Sequence, residues 1–386
     1  MARKGIGTAL AVLLACSIRA APGDDASGAK EIFAEGQKAL AAADYTAAER
    51  HFDRLLAMGF RTAPVYTNLG VVYLRTGKLD RAVSVLKKAK ELAPGMTGID
   101  LNLGLAYYRQ REYLDAERHF ANVVAADAAN VQARYLEGEC HFMMDQFDAA
   151  IAAFGPIQDA ESNDLEFLFM LGISYGKVKR PADAQRAFAH LMDAGGETPH
   201  LHLLLGKAYL ALENYPSAQK ELEKAAANDS KLPYAHYYLG VLYEKLGNFE
   251  AAAAEFLKET EISPNDHWAY EDFTRIRLDQ GNPDAAVALL EKAVVRIPGS
   301  ASLLAALAKA YMQKSEPGQA IPQLKRALEL EPNNGNYHYQ LGRAFALAGR
   351  RQEGNTEMAK ARALQVEVLK GQMELLSRDG SEAAQH

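Results

Sequence analysis

Glycine recurs in this chain at intervals of 34 residues, and that spacing constrains the fold more than any other feature. Gly36, Gly70, Gly104, Gly138, Gly172, Gly206, Gly240 and Gly342 share one frame, with Thr274 and Ala308 in the two intervening slots. Twelve residues beyond each stands a small residue: Ala48, Ala82, Ala116, Ala150, Ala184, Ala218, Ala252, Ala286, Ala320 and Gly354. Four further on is a large apolar one: Phe52, Leu86, Phe120, Phe154, Phe188, Leu222, Phe256, Leu290, Leu324 and Met358. The frame runs without a gap from 29 to 368. One supersecondary unit is copied along the chain, and each copy buries its apolar face only against its neighbours.

Each unit reads as a pair of helices. Counting from the start of a repeat, places 4, 7, 8 and 11 fall on one face at helical spacing, as in Tyr66-Leu69-Gly70-Tyr73 and Leu168-Leu171-Gly172-Tyr175. The glycine or alanine lets the second helix approach closely. An aromatic residue at place 17 (Tyr45, Tyr113, Phe147, Tyr215, Phe249) precedes the small residue of that second helix. Gly77, Gly247, Gly281 and Gly349 mark the turn within a repeat, and Pro94, Pro264, Pro298 and Pro332 mark its end. Pro199 and Pro233 open the helices that follow, where a missing N–H costs little.

This pattern resembles the tetratricopeptide repeat family, whose W-x2-L-G-x2-Y, A-x3-F and P signature it carries at the family's period over about nine-tenths of the chain. The resemblance implies an all-α, right-handed superhelical solenoid of helix-turn-helix repeats whose first helices line a concave groove. The repeats are expected at 29–62, 63–96, 97–130, 131–164, 165–198, 199–232, 233–266, 267–300, 301–334 and 335–368. Leu369, Met373 and Leu376 predict a capping helix over 369–376, fused to or following the last repeat, before a polar tail at 377–386.

Residues 1–20, MARKGIGTALAVLLACSIRA, read as a secretory signal peptide: Arg3 and Lys4 precede an uncharged stretch from Gly5 to Ile18 that is too short to span a bilayer. Leu13-Leu14-Ala15-Cys16 resembles a lipobox, so two outcomes stay open: lipidation of Cys16 after cleavage before it, or ordinary cleavage near Ala20. Residues 21–28 form a small polar linker. An exported protein is expected, periplasmic or outer-membrane-anchored if bacterial and otherwise secreted, with the membrane touched only through such a lipid. Cys140 is the one cysteine beyond the leader, so no disulfide framework is available to the mature chain. With 43 basic against 49 acidic residues and no long basic run, nucleic acid is not an expected partner.

Glu137-Gly-Glu-Cys-His141 has the residue types of a metal or nucleophile site, but the register argues for packing. Cys140 takes place 10, held elsewhere by Ala106, Ser174, Ala208, Ala310 and Ala344, so a buried, inert thiol is expected. His141 takes the tyrosine place of Tyr107, Tyr175, Tyr209 and Tyr243, and neighbours on a helix point about 100° apart, so Cys140 and His141 form no dyad. His200 and His202 face different ways, and His202 recurs in register as His236 and His338, which reads as packing between repeats. No catalytic, cofactor-binding or metal residues are expected. Asp100, Arg134 and Glu137 are expected to form a buried ionic network between repeats 3 and 4. Gly155-Pro156 predicts a hinge near 155–164 that divides the solenoid, and Thr274 and Arg277 a weakened repeat 8.

Places 2, 5, 9 and 12 of each first helix make the face such proteins turn to a ligand, and here they vary from repeat to repeat. Val71, Leu74, Leu101, Leu105, Tyr108, Tyr135, Phe142, Phe169 and Ile173 predict an apolar groove edged by Arg75, Arg109 and Lys177. The competing expectation is that these side chains pack across a tight superhelix or lie under the N-terminal linker. Tyr234, Tyr237, Tyr238 and Trp268, beside Glu271, Asp272 and Arg275, form a more polar second candidate. Family members that clamp a C-terminal carboxylate use lysine at place 5 and asparagine at place 9. Phe33/Gln37, Thr67/Val71 and Leu101/Leu105 lack that pair, whereas Asn68 and Asn102 at place 6 are implied by the resemblance to fix a bound peptide backbone. The expected function is a non-catalytic scaffold for an apolar or amphipathic segment of a protein partner, in envelope or secretory assembly. The alternative is a self-assembling solenoid with an incidental groove.

Overall fold

The computed structural model describes residues 26–382, and the regular elements among them are all helical. The leader, Cys16, the first linker residues and 383–386 lie outside the described residues. The chain forms two compact units, one through Gly196 and one from Glu197. The first pairs α1 (Ala26–Ala41) with α2 (Tyr45–Ala57), α3 (Ala63–Arg75) with α4 (Leu79–Leu92), and α5 (Thr97–Gln110) with α6 (Tyr113–Ala126). It ends with α7 (Val131–Met143) beside α8 (Phe147–Phe154), and α9 (Leu165–Lys177) beside α10 (Pro181–Gly195). The second pairs α11 (Pro199–Ala211) with α12 (Tyr215–Asn228), α13 (Ala235–Lys245) with α14 (Phe249–Ile262), and α15 (Trp268–Asp279) with α16 (Pro283–Arg296). Its last pairs are α17 (Ala301–Gln313) with α18 (Pro317–Leu330) and α19 (Gly335–Leu347) with α20 (Arg351–Glu382). No helix among the described residues is long and apolar enough to cross a membrane.

Local chemistry explains each hairpin. Side chains of Asn130, Asp164, Thr198, Ser300 and Asn334 accept N–H bonds at the starts of first helices, and Asp44, Asn214, Asn248 and Asn282 do so at second helices. The turn between them uses a left-handed residue at place 15 in all ten repeats: Ala43, Gly77, Arg111, Asp145, Lys179, Glu213, Gly247, Gly281, Ser315 and Gly349. The next N–H returns to the carbonyl at place 11, as from Asn214 to Tyr209 at 2.8 Å, which satisfies a helix-end acceptor. Where that residue carries a Cβ, the left-handed conformation costs about 1 kcal/mol, of which glycine's extra unfolded-state freedom cancels a part. Lys179→Gly is therefore expected to stabilise the first unit by about 0.5 kcal/mol, read as a higher urea midpoint at unchanged slope. A lower midpoint would mean the lysine turn is unstrained.

The core lies between the two helices of each hairpin and between neighbouring hairpins. Alanines at place 20 and large residues at place 24, such as Phe52, Phe120, Phe154 and Phe256, are buried.

Two expectations change. Pro156 cannot donate an N–H, so α8 stops at Phe154 and a 3-10 turn follows over Gly155–Ile157. That segment lies inside the first unit. The boundary between units falls instead at Gly196, whose φ of 57° and ψ of −152° only glycine adopts readily, directly after α10. At the C-terminal end, α20 runs unbroken through Gly371 and Ser377 to Glu382, so the stripe from Leu369 continues the last repeat and the expected tail begins as helix. Strong helix formers around Gly371 offset its cost of about 1 kcal/mol. Val366 and Leu369 are half exposed on it.

Candidate binding surface

The predicted groove residues of the first unit lie on α3, α5, α7 and α9. Val71, Leu74, Leu101 and Leu105 belong to one apolar cluster and are buried, as are Phe169 and Ile173. Tyr108 and Phe142 are half-buried. The Phe142 ring sits 6.0 Å from Phe147 and 6.3 Å from Phe169. Tyr135 lies deeper, its ring against Phe154 at 6.3 Å and Phe167 at 6.2 Å, in the core between α8 and α9. The basic edge is uneven: Arg75 and Lys177 are exposed, whereas half-buried Arg109 donates to the Leu74 carbonyl at 2.7 Å and so caps the end of α3. Burial and the nearby Arg75 lower its pKa from the ordinary arginine value.

Polar groups fix this surface at a few points. The Tyr108 hydroxyl donates to Glu139 Oε1 at 2.8 Å, linking α5 to α7, and burial next to that carboxylate raises the phenol's pKa. Thr67 donates to the Ala63 carbonyl at 2.8 Å. Asn68 is fully buried; its amide donates to the Pro64 carbonyl at 2.8 Å, while its Oδ1 accepts no hydrogen bond.

The second candidate is polar, as expected. Tyr237 donates to Asp272 at 3.1 Å, and Arg275 joins Glu244 at 2.7 Å and Asp272 at 2.9 Å. Tyr237 packs edge-on against Tyr238, with ring centres 5.4 Å apart. Tyr234 and Trp268 are partly exposed at the rim of a shallow depression lined by Ile262, Pro264 and His267. Buried Glu259 closes the start of α13, accepting from the backbone N–H of Tyr234 at 2.8 Å and of Tyr237 at 3.3 Å.

Cys140 is buried, and desolvation followed by the charge of Glu139 raises its thiol pKa, so it carries no thiolate chemistry. The expected network of Asp100, Arg134 and Glu137 does not form. Asp100 is buried and accepts from Lys90 at 2.5 Å, His119 at 3.0 Å and Asn122 at 3.3 Å, while Arg134 donates to the Ala128 carbonyl. Glu137 faces Glu117 and His141 instead. Comparing Cys140 with its neighbour missed this grouping; the spacing of Glu137 and His141, four apart on one helix face, was the available signal.

His202 recurs as expected and has a specific partner. Its Nδ1 lies 2.7 Å from Glu221, and the same offset pairs His236 with Glu255 and His338 with Glu357, both at 2.5 Å. These clasps join the first and second helices of repeats 6, 7 and 10; His119 and Asp100 form the same clasp in repeat 3 with the partners exchanged.

A family model described as tetratricopeptide repeat matches residues 33–97, 101–158, 169–218 and 203–267, and a second model of the same description matches 277–339. Among curated proteins, the BBSome complex member BBS4 of Bos taurus is 33% identical over 89 residues, 23% of this chain and 17% of that protein. The tetratricopeptide repeat domain-containing protein PYG7, chloroplastic, of Arabidopsis thaliana is 39% identical over 72 residues, 19% of this chain and 24% of that one. The matched segments thus span a quarter or less of these relatives' lengths. A tetratricopeptide repeat protein of Parabacteroides merdae shares the fold with a TM-score of 0.56 at 17% identity, over 65% of this chain and 99% of that one. Proteins built from this repeat serve as protein-interaction scaffolds, and the fold is typically non-catalytic. Matched over more than half of its length, the chain belongs to the tetratricopeptide repeat family.

Proposed function

We propose that this protein is a non-catalytic scaffold that holds an apolar or amphipathic segment of another protein along the inner helices α3, α5, α7 and α9. The observation that carries the reading is Asn68. Its Oδ1 is buried beside an apolar face without a donor, a situation that costs about 1–3 kcal/mol until a donor arrives. A backbone N–H of a bound segment becomes such a donor when the side chains that cover Asn68 move aside for it, and half-buried Tyr108 and Phe142, further along the same face, carry its exposed apolar area. Exposed Arg75 and Lys177 favour a segment with acidic flanks. With residues 1–20 read as an export leader, the proposed setting is the cell envelope: periplasmic or outer-membrane-anchored through Cys16 in a bacterium, secreted otherwise.

The test places a photo-crosslinking residue at Phe142 in the otherwise intact chain within its native cells, with a control at exposed Val295. One partner sequence, apolar or amphipathic, is expected at 142 and not at 295. Asn68→Leu should keep the fold while lowering that yield about five- to tenfold, the worth of one hydrogen bond. Equal yields from 142 and 295, or no effect of Asn68→Leu, would remove the groove reading.

Val366 and Leu369, half exposed on α20, favour a second reading in which copies associate. A mass that rises with concentration and falls back in Leu369→Lys would support it.

A further inference from the structure

We propose that Glu117, Glu137 and His141 form a binding site for a first-row divalent metal ion of the zinc type, joining α6 of one repeat to α7 of the next. The ligand atoms these three residues offer all lie within 4.8 Å of one another. Glu137 and His141 stand one helical turn apart on α7, and Glu117 faces them from α6.

The repeat frame shows how unusual this grouping is within the chain. Place 7 packs against the preceding hairpin. In repeats 2 to 10 it reads Leu69, Leu103, Glu137, Leu171, Leu205, Leu239, Phe273, Leu307 and Leu341, so the fourth alone is polar. Place 11 is aromatic in most of the same repeats and is histidine only at His141. Two packing places on one face have thus exchanged apolar for ligating side chains together, opposite a third. None of the three is fully exposed: His141 retains 15% and Glu117 19% of side-chain exposure.

The hydrogen bonding of His141 favours a cation. Its Nδ1 lies 2.8 Å from the carbonyl oxygen of Gln146, which only accepts, so Nδ1 carries the proton. In that tautomer Nε2 is the atom with the free lone pair, and it points towards Glu117 Oε1 at 3.9 Å, too far for a hydrogen bond. A lone pair and two carboxylates converge without a donor among them. Metal-binding histidines are oriented in this way, with the second ring N–H given to an outer acceptor. One imidazole and two carboxylates suit zinc and its neighbours and leave coordination positions for water.

Calorimetric titration of the whole chain with Zn2+, and visible absorption of its Co2+ form, test the site. Wild type is expected to take up one equivalent of Zn2+ that Glu137→Leu lacks. Glu137→Leu restores the residue most other repeats carry, so it should fold, and a cooperative melt checks that it does. His141→Gln is expected to weaken binding more than about tenfold, and Gln146→Ala by about tenfold through the freed imidazole. Co2+ bound to wild type should show ligand-field bands absent from Glu137→Leu. No uptake by wild type, or equal uptake by wild type, Glu137→Leu and His141→Gln, would overturn the assignment. The groove is read independently, by the crosslinking yield at Phe142 and its response to Asn68→Leu.

Discussion

Lys90→Met is expected to destabilise the first unit by about 3 kcal/mol, one of the two largest losses predicted for this molecule. Asp100 sits where repeats 5 and 9 carry Leu168 and Leu304, and its side chain is only 3% exposed. Lys90 holds its Oδ2 at 2.5 Å, whereas His119 and Asn122 both reach Oδ1. Removing the lysine therefore leaves one oxygen of a buried charge without a donor, which costs far more than an exposed pair is worth. Burial tends to raise the Asp100 pKa, but the hydrogen bonds from His119, Lys90 and Asn122 outweigh it and hold the carboxyl below its ordinary range. A folded-state value below the unfolded value of about 3.9 gives stabilisation that is complete above about pH 4 and is lost as pH falls through the folded value. Urea unfolding should thus separate wild type from Lys90→Met at pH 7, with the gap closing as pH falls through the folded-state value of Asp100. Glu255 and Glu357, lowered in the same direction by their lysine and histidine partners, add a parallel acid loss in the second unit. Adding Asp100→Leu to Lys90→Met should recover most of the pH 7 loss, because the site then matches repeats 5 and 9. A difference that persists unchanged into acid would show that Lys90 acts through packing alone.

The repeat frame was legible because period, glycine and alanine places report backbone approach, which depends on residue size and little on context. Turns were legible only in part. Gly77, Gly247, Gly281 and Gly349 announce a left-handed residue, but Ala43, Arg111, Asp145, Lys179, Glu213 and Ser315 adopt the same conformation under the hydrogen bonds of the helix end, with no glycine to signal it. Polar partners were the least legible. Asp100 finds Lys90 ten residues earlier and His119 nineteen later, a geometry set by how hairpins stack and not by adjacency in the chain. Pro156 reports where one helix stops, whereas the boundary between the two compact units, after Gly196, depends on packing across many residues. At the candidate surface, sequence periodicity did not report depth: Tyr135, Val71, Leu74 and Leu105 are buried whereas Phe142 is half-buried, though all sit at nominal groove places.

Gly104→Ala is expected to cost about 2 kcal/mol in spite of alanine's higher helix propensity. A Cβ at Gly104 would stand 2.5 Å from Cε1 of Phe120, a ring with no solvent exposure. Overpacking of this kind costs about 1–3 kcal/mol, here towards the upper end, and the helix preference for alanine returns about 1. The chain contains its own controls. Phe52, Phe120, Phe154, Phe188 and Phe256, the phenylalanines at place 24, each stand opposite a glycine at place 8, whereas the side chains at that place, Thr274 and Ala308, stand opposite Leu290 and Leu324. Leucine also faces glycine at Leu86 and Leu222, where an added Cβ would stand 2.5 Å from the leucine Cγ, but Leu290 and Leu324 accommodate a Cβ opposite them, so Phe120→Leu should relieve the clash by taking the arrangement of those two. In a double-mutant cycle read by urea unfolding, Gly104→Ala and Phe120→Leu should be less costly together than the sum of their single effects by about 1–2 kcal/mol. Strict additivity would mean that Gly104 is selected by something other than the ring it faces. Coupling of the expected sign would make glycine at place 8 and phenylalanine at place 24 a single packing unit that sets the spacing between the two helices of each hairpin.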